Sequence, residues 1–185
     1  MKTLNTIQTL SKIGKVLSKI DYIFCLIGAI GCAVGLATLP FADQGIFKIG
    51  GESIHGLIVN RAGIDLNSLY SLMTGAMIVC IGQAITAKFA ERYFSYELTA
   101  GTPFTFAGAK ELLRLGIITI CVPLGCLILA EIVSGIIAGF LNCEDLLKIE
   151  NGGSVTLGVV FIIISLLCRY GAEQEASQTT KELEL

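Results

Sequence analysis

The chain has 185 residues, of which 54% are hydrophobic and only 15% charged, and its mean hydropathy is +0.77. A soluble domain carries about 25% charged residues, so this composition excludes a soluble enzyme, a disordered tail and a secreted disulfide scaffold. The 13 Lys plus Arg against 15 Asp plus Glu, net −2, also argue against a broad nucleic-acid-binding face, and no direct nucleic-acid binding is expected.

Residues 1–21 come first. At about 100° per residue in a helical projection, Leu10, Ile13, Leu17 and Ile20 share one face and Lys12, Lys15 and Lys19 the opposite one. That pattern predicts an amphipathic helix lying in the cytoplasmic membrane interface, apolar side in the acyl boundary and lysines toward anionic headgroups. Next comes residues 22–41, an uncharged apolar run long enough to cross about 30 Å of hydrocarbon. A cleaved signal peptide is the competing reading of this run. The long preceding segment and the lack of a clean small-x-small site argue against it.

The following segment, 42–65, carries two short alternating runs around Gly50-Gly51, from Ile46 to Ile54. They predict a β-hairpin. A second apolar run, 66–87, has Gln83 as its most polar member, and a third, 115–141, contains one charge, Glu131. Between this run and the fourth, residues 142–154 repeat the apolar-Lys-Ile then Gly-Gly pattern at Lys148, Ile149, Gly152 and Gly153. The two outer segments are expected to form a small extracellular β cap if this repeat marks a tandem pair. The fourth run, 155–170, needs flanking residues or bilayer thinning to span, and 171–185 is an acidic cytoplasmic tail. In lipid every backbone polar group must be satisfied, so each run is expected to be a helix.

Ten of the thirteen Lys and Arg lie in the N-terminal segment, the 88–114 loop and the tail, counting Arg169 at the end of the fourth run with the tail. The positive-inside rule therefore puts both termini in the cytoplasm. The expected fold is an all-α membrane protein, four transmembrane helices (22–41, 66–87, 115–141, 155–170) in an antiparallel bundle.

The 88–114 loop is the most distinctive stretch. The second helix is expected to run past the bilayer through Tyr93 and Phe94, whose rings suit the headgroup belt. Gly101-Thr102-Pro103 stops it, because Gly frees φ and Pro removes a donor. Thr105 then caps a helix leading into the third span. A helical hairpin projecting into the cytoplasm follows, with Gly101, Pro103, Phe104 and Phe106 as a candidate partner-docking turn. Its exposed charges are expected to include Glu91, Arg92, Glu97, Lys110, Glu111 and Arg114.

The order Glu91-Arg92-Tyr93-Phe94, Gly101-Thr102-Pro103-Phe104-Thr105, Ala109-Lys110, Leu112, Arg114-Leu115-Gly116-Ile117 resembles the YoaS-like family of small uncharacterised bacterial four-span membrane proteins. The likeness covers roughly residues 72–140 and departs from the family where Phe106-Ala107-Gly108 replaces charged residues. It implies a bacterial cell membrane, no established activity and, as a partner, a small cytoplasmic helix-turn-helix regulator.

Within the spans, Glu131 is the residue most costly to place. A carboxylate near the bilayer centre costs on the order of 2.5–3.5 kcal/mol, so it is expected to face the bundle, neutral or paired. Thr74 and Gln83 complete a candidate intramembrane polar site, with Ser71 near Thr74 in depth. Gly31-x-x-x-Gly35 and Gly135-x-x-x-Gly139 suit close helix packing or a homodimer, and Pro123 is expected to kink the third helix. Seven cysteines contain no Cys-x-x-Cys, and His55 stands alone, so neither a redox pair nor a zinc site is expected. No cofactor, metal or catalytic constellation is expected. The leading reading is a non-catalytic regulatory or interaction protein; the alternative is a small transporter or channel subunit using Glu131.

Overall fold

A computed structural model describes residues 2–44, 48–49, 52–53, 65–101, 105–143 and 152–183. Helix α1 spans Lys2–Thr38 and continues into a 3-10 turn, Leu39–Gln44. Two-residue strands follow, β1 (Lys48–Ile49) and β2 (Glu52–Ser53), then α2 (Leu66–Ala100), α3 (Phe106–Leu141) and α4 (Gly152–Leu183). All four α-helices are long and apolar enough to cross a membrane. The chain is a multi-pass membrane protein.

The strands pair antiparallel, Lys48 with Ser53 and Ile49 with Glu52, as the alternation around Gly50-Gly51 leads one to expect. The second outer motif, around Lys148 and Ile149, lies outside the described residues.

The helices outrun the apolar segments. At 1.5 Å per residue, α1, α2 and α3, with 37, 35 and 36 residues, are each above about 50 Å, well beyond the hydrocarbon thickness. No break separates the segment read as interfacial from the first span: α1 is one helix, and between Lys19 and Phe24 no Pro or Gly interrupts its hydrogen bonds. The tail read as a separate region is likewise helical through Leu183, and flanking residues on both sides lengthen the short fourth run.

The backbone falls into two packing units. The first comprises Met1–Ile23, Gln83–Pro123 and Asn151–Leu185, the second Phe24–Gly82 and Leu124–Glu150. In the second, α1 and α2 run antiparallel. A Cβ on Gly28 would lie 3.2 Å from Cys80 Sγ and one on Gly35 only 2.6 Å from Met73 Sδ, so the contacts recur every seven residues on both helices, the spacing of a helix–helix seam. Ser71 Oγ donates to the Ser134 carbonyl at 3.2 Å, tying α2 to α3, and Asn67 Nδ2 donates to the Leu141 carbonyl at 3.3 Å.

In the first unit, α3 and α4 touch backbone to backbone. A Cβ on Gly116 would come within 3.0 Å of the Gly158 carbonyl oxygen, and one on Gly158 within 2.9 Å of that of Gly116 and into the Ile120 side chain. The buried centre of this unit is Tyr93, Ala109, Leu112, Leu115 and Cys168, with Phe89, Ala90, Phe94 and Phe161 packed around it.

Small side chains dominate the other buried positions: Ala84, Ala87, Ala130, Ala138 and Ala172, with Ser11, Ser68, Ser71, Thr119, Ser134 and Ser165. Large ones such as Phe24, Ile128, Phe140 and Leu167 are exposed. This inverts a soluble core, because lipid solvates large apolar groups as well as other side chains do, and helices associate through close packing of small ones.

Candidate functional site

The hairpin from 88 to 114 lies in the first unit. Helix α2 ends as its residue types dictate. Gly101 takes φ +75°, the left-handed region in which a Cβ is penalised, and its N–H donates to the Glu97 carbonyl at 3.0 Å. That single bond is the αL form of a helix C-cap. On the returning arm, Thr105 Oγ accepts from the Gly108 N–H at 2.9 Å, the N-cap-to-N3 bond that satisfies one of the unpaired first-turn donors. Pro103 and Phe104 lie outside the described residues.

The two arms do not stand free. Phe94 lies against Gly14 of α1, where an added Cβ would meet the ring at 2.7 Å. Tyr93 is buried and meets Phe94 edge-on, ring centroids 5.4 Å apart. Glu97, expected among the exposed charges, is half-buried and bonded to Ser11 of α1 and to Tyr93. Burial pushes the Glu97 carboxyl above its ordinary range, against the opposing effect of those two hydrogen bonds. Burial, and next the neighbouring Glu97 charge, push the Tyr93 phenol upward as well. The face of α1 that meets α2 is therefore the small-residue side, Ser11 and Gly14, while Leu10, Ile13, Leu17 and Ile20 are exposed.

Cations brace the arms from outside. Lys88 pairs with Glu91 at 2.8 Å and lies 5.3 Å from the centroid of the Tyr22 ring; Arg114 lies 5.3 Å from that of Phe89. Arg92, Tyr96, Phe106, Lys110 and Arg114 remain exposed, the aromatic-plus-cation mixture typical of interface hot spots. Of the aromatics expected on this surface, Tyr93 and Phe94 are core residues instead. Phe94 and Glu97 meet α1 at Gly14 and Ser11, whereas Tyr93 packs among Ala109, Leu112, Leu115 and Cys168.

The intramembrane polar residues are not drawn into one enclosure. Glu131 is exposed on α3 instead of facing the interior. The buried line of that helix is Leu127, Ala130, Ser134 and Ala138, and Glu131 stands about 100° around from Ala130. Thr74 spends its hydroxyl on the Tyr70 carbonyl, 2.8 Å away on its own helix. Gln83 is half-buried in the first unit. Sequence reasoning put Ser71 at the right depth but missed its acceptor, the backbone of Ser134.

Of the glycines expected at packing surfaces, Gly35 is used, while Gly31, Gly135 and Gly139 are exposed. Among the described residues no group of three or more His, Cys, Asp or Glu could hold a metal ion, and the described cysteines are free thiols.

The chain matches no protein-family model, no curated protein and no solved structure. Roles for its residues therefore come from their own geometry.

Proposed function

We propose that this chain is a non-catalytic interaction protein of a bacterial cell membrane, presenting the 88–114 hairpin to a soluble regulatory partner. The observation that carries the reading is the capped hairpin itself. Its inner face is consumed by packing against α1 and α4, while Arg92, Tyr96, Phe106 and Arg114 are left outside. A surface of this kind, held on ordered helices, binds at low entropic cost because its backbone is already fixed. Glu91 and Lys88 neutralise each other, and of the other charges Arg92, Lys110 and Arg114 are exposed while Glu111 is half-buried, a balance that suits an acidic patch on the partner.

The cytoplasmic side is proposed from the distribution of Lys and Arg, and the helix-turn-helix class of partner from the resemblance of the turn motif to the YoaS-like family. The paired strands β1 and β2 are proposed as part of a cap on the opposite side. The test is co-purification from mild detergent of the full chain against a Phe104→Ala, Phe106→Ala double variant. The parent should enrich one small DNA-binding protein, and the variant should lose most of it. A parent that enriches none, or a variant that retains it undiminished, contradicts the proposal.

A further inference from the structure

Below the tight Gly116–Gly158 contact, α3 and α4 enclose a cavity of about 260 Å³ between their facing surfaces. Its walls combine two cations, Lys110 and Arg169, with apolar Phe106, Leu113 and Leu166, and no carboxylate lines it. The pairing follows from antiparallel register: Gly116 faces the stretch from Gly158 to Ile162, which brings Lys110, six residues before Gly116, to the level of Arg169. Both cations also sit where apolar sequence gives way to polar. Lys110 lies five residues ahead of the third apolar run, and Arg169 lies at the end of the fourth.

From this arrangement we infer that the α3–α4 groove is a binding site for an anionic glycerophospholipid, its phosphate between Lys110 and Arg169 and an acyl chain along Leu113 and Leu166. Charge complementarity carries the choice of ligand. Arg169 gives its Nε to Glu173 at 3.1 Å, and a guanidinium has four further N–H donors to turn toward a phosphate. The nearby hydroxyl of Ser165 is already committed to the Ile162 carbonyl at 2.7 Å, so the cations are the recognising groups. The apolar wall is open to the lipid side, because Leu166 is more than half exposed. A free phosphate would match the cations but leave that wall unused; a phospholipid occupies both. Basic grooves between membrane helices at the interface are suited to anionic headgroups on general electrostatic grounds.

The experiment uses the purified full chain in nanodiscs holding equal mole fractions of phosphatidylglycerol and phosphatidylcholine, with lipid retained on the protein measured by native mass spectrometry. The parent should retain phosphatidylglycerol preferentially. A Lys110→Gln, Arg169→Gln variant should lose that preference by roughly thirtyfold, each cation near an anionic surface being worth about fivefold. The Lys110→Arg, Arg169→Lys variant should keep most of it. A Lys48→Gln variant, altered on β1 and outside the groove, should match the parent. The inference is overturned if the parent shows no preference, if the groove variant keeps it, or if the distant variant loses it equally. Excess glycerol phosphate displacing the retained lipid would also overturn it, since the headgroup alone would then suffice.

Discussion

Glu97 joins α1 to α2. Its carboxyl receives hydrogen bonds from Ser11 and Tyr93. It stands ten residues, about 15 Å, beyond the apolar run of α2, outside the span. Burial raises its pKa above the ordinary 4.5, so the folded state prefers the protonated acid. Its contribution to stability is fully present below pH 4.5 and is lost as pH climbs through the raised value. Thermal unfolding in detergent between pH 4 and 7 should therefore show a stability decline in the parent that Glu97→Gln flattens, because the amide oxygen still accepts from Tyr93. Parallel pH profiles for the two proteins would show that Glu97 does not titrate in this window.

Glycine positions give a second residue-scale contrast. At Gly158 an added methyl meets the Gly116 carbonyl and Ile120, whereas at Gly139 it meets nothing within 4 Å. Gly158→Ala should destabilise by about 1–3 kcal/mol through overpacking, read as a lower Tm, and Gly139→Ala should leave Tm unchanged or slightly raised. Equal effects would remove the assigned α3–α4 contact.

At the scale of elements, the helices and their stops were the legible part. Gly101 suits a C-cap because it lacks a Cβ and Thr105 an N-cap through its hydroxyl, and each occupies the position its chemistry suits. Thr105→Ala should cost about 1 kcal/mol, and Gly101→Ala about 1–2 kcal/mol for placing a Cβ in the left-handed region. Amide hydrogen exchange should accelerate in the first turns of α3 for the former and the last turn of α2 for the latter. Unchanged protection would mean the caps do not order the hairpin.

Helix faces were harder to read, and for one physical reason. In water the apolar side of a helix faces protein; in lipid that side faces solvent, and small residues mark the contact. The exposure of Leu10, Ile13, Leu17 and Ile20 on α1 agrees with the sequence reading, which turns them toward the acyl boundary; what it misses is the packed side, traced by Ser11 and Gly14. Glu131 is expected to face the bundle because of its cost in lipid, yet it lies on the exposed side of α3. Ala130, Ser134 and Ala138 already mark the packed line of α3. The Lys110–Arg169 groove was not legible either, since it depends on the register between two helices far apart in sequence.

For the whole molecule, length and composition decide the environment: four long apolar helices require a membrane, and each exceeds the hydrocarbon thickness. The surplus is not disposable linker. It contains the buried Tyr93, Ala109 and Leu112 and the capped turn, so the part of the chain proposed to meet a soluble partner has a buried centre of its own. We propose that the exposed end of this hairpin is a docking surface. The most direct measurement is photocrosslinking in intact cells, with benzoylphenylalanine placed at Tyr96, at Phe106 and, as a lipid-facing reference, at Phe140, which is 85% exposed. Positions 96 and 106 should yield an adduct to the same cytoplasmic protein, and position 140 should not. An inserted, full-length chain that gives no protein adduct at 96 and 106, or the same adduct at all three positions, would contradict the account.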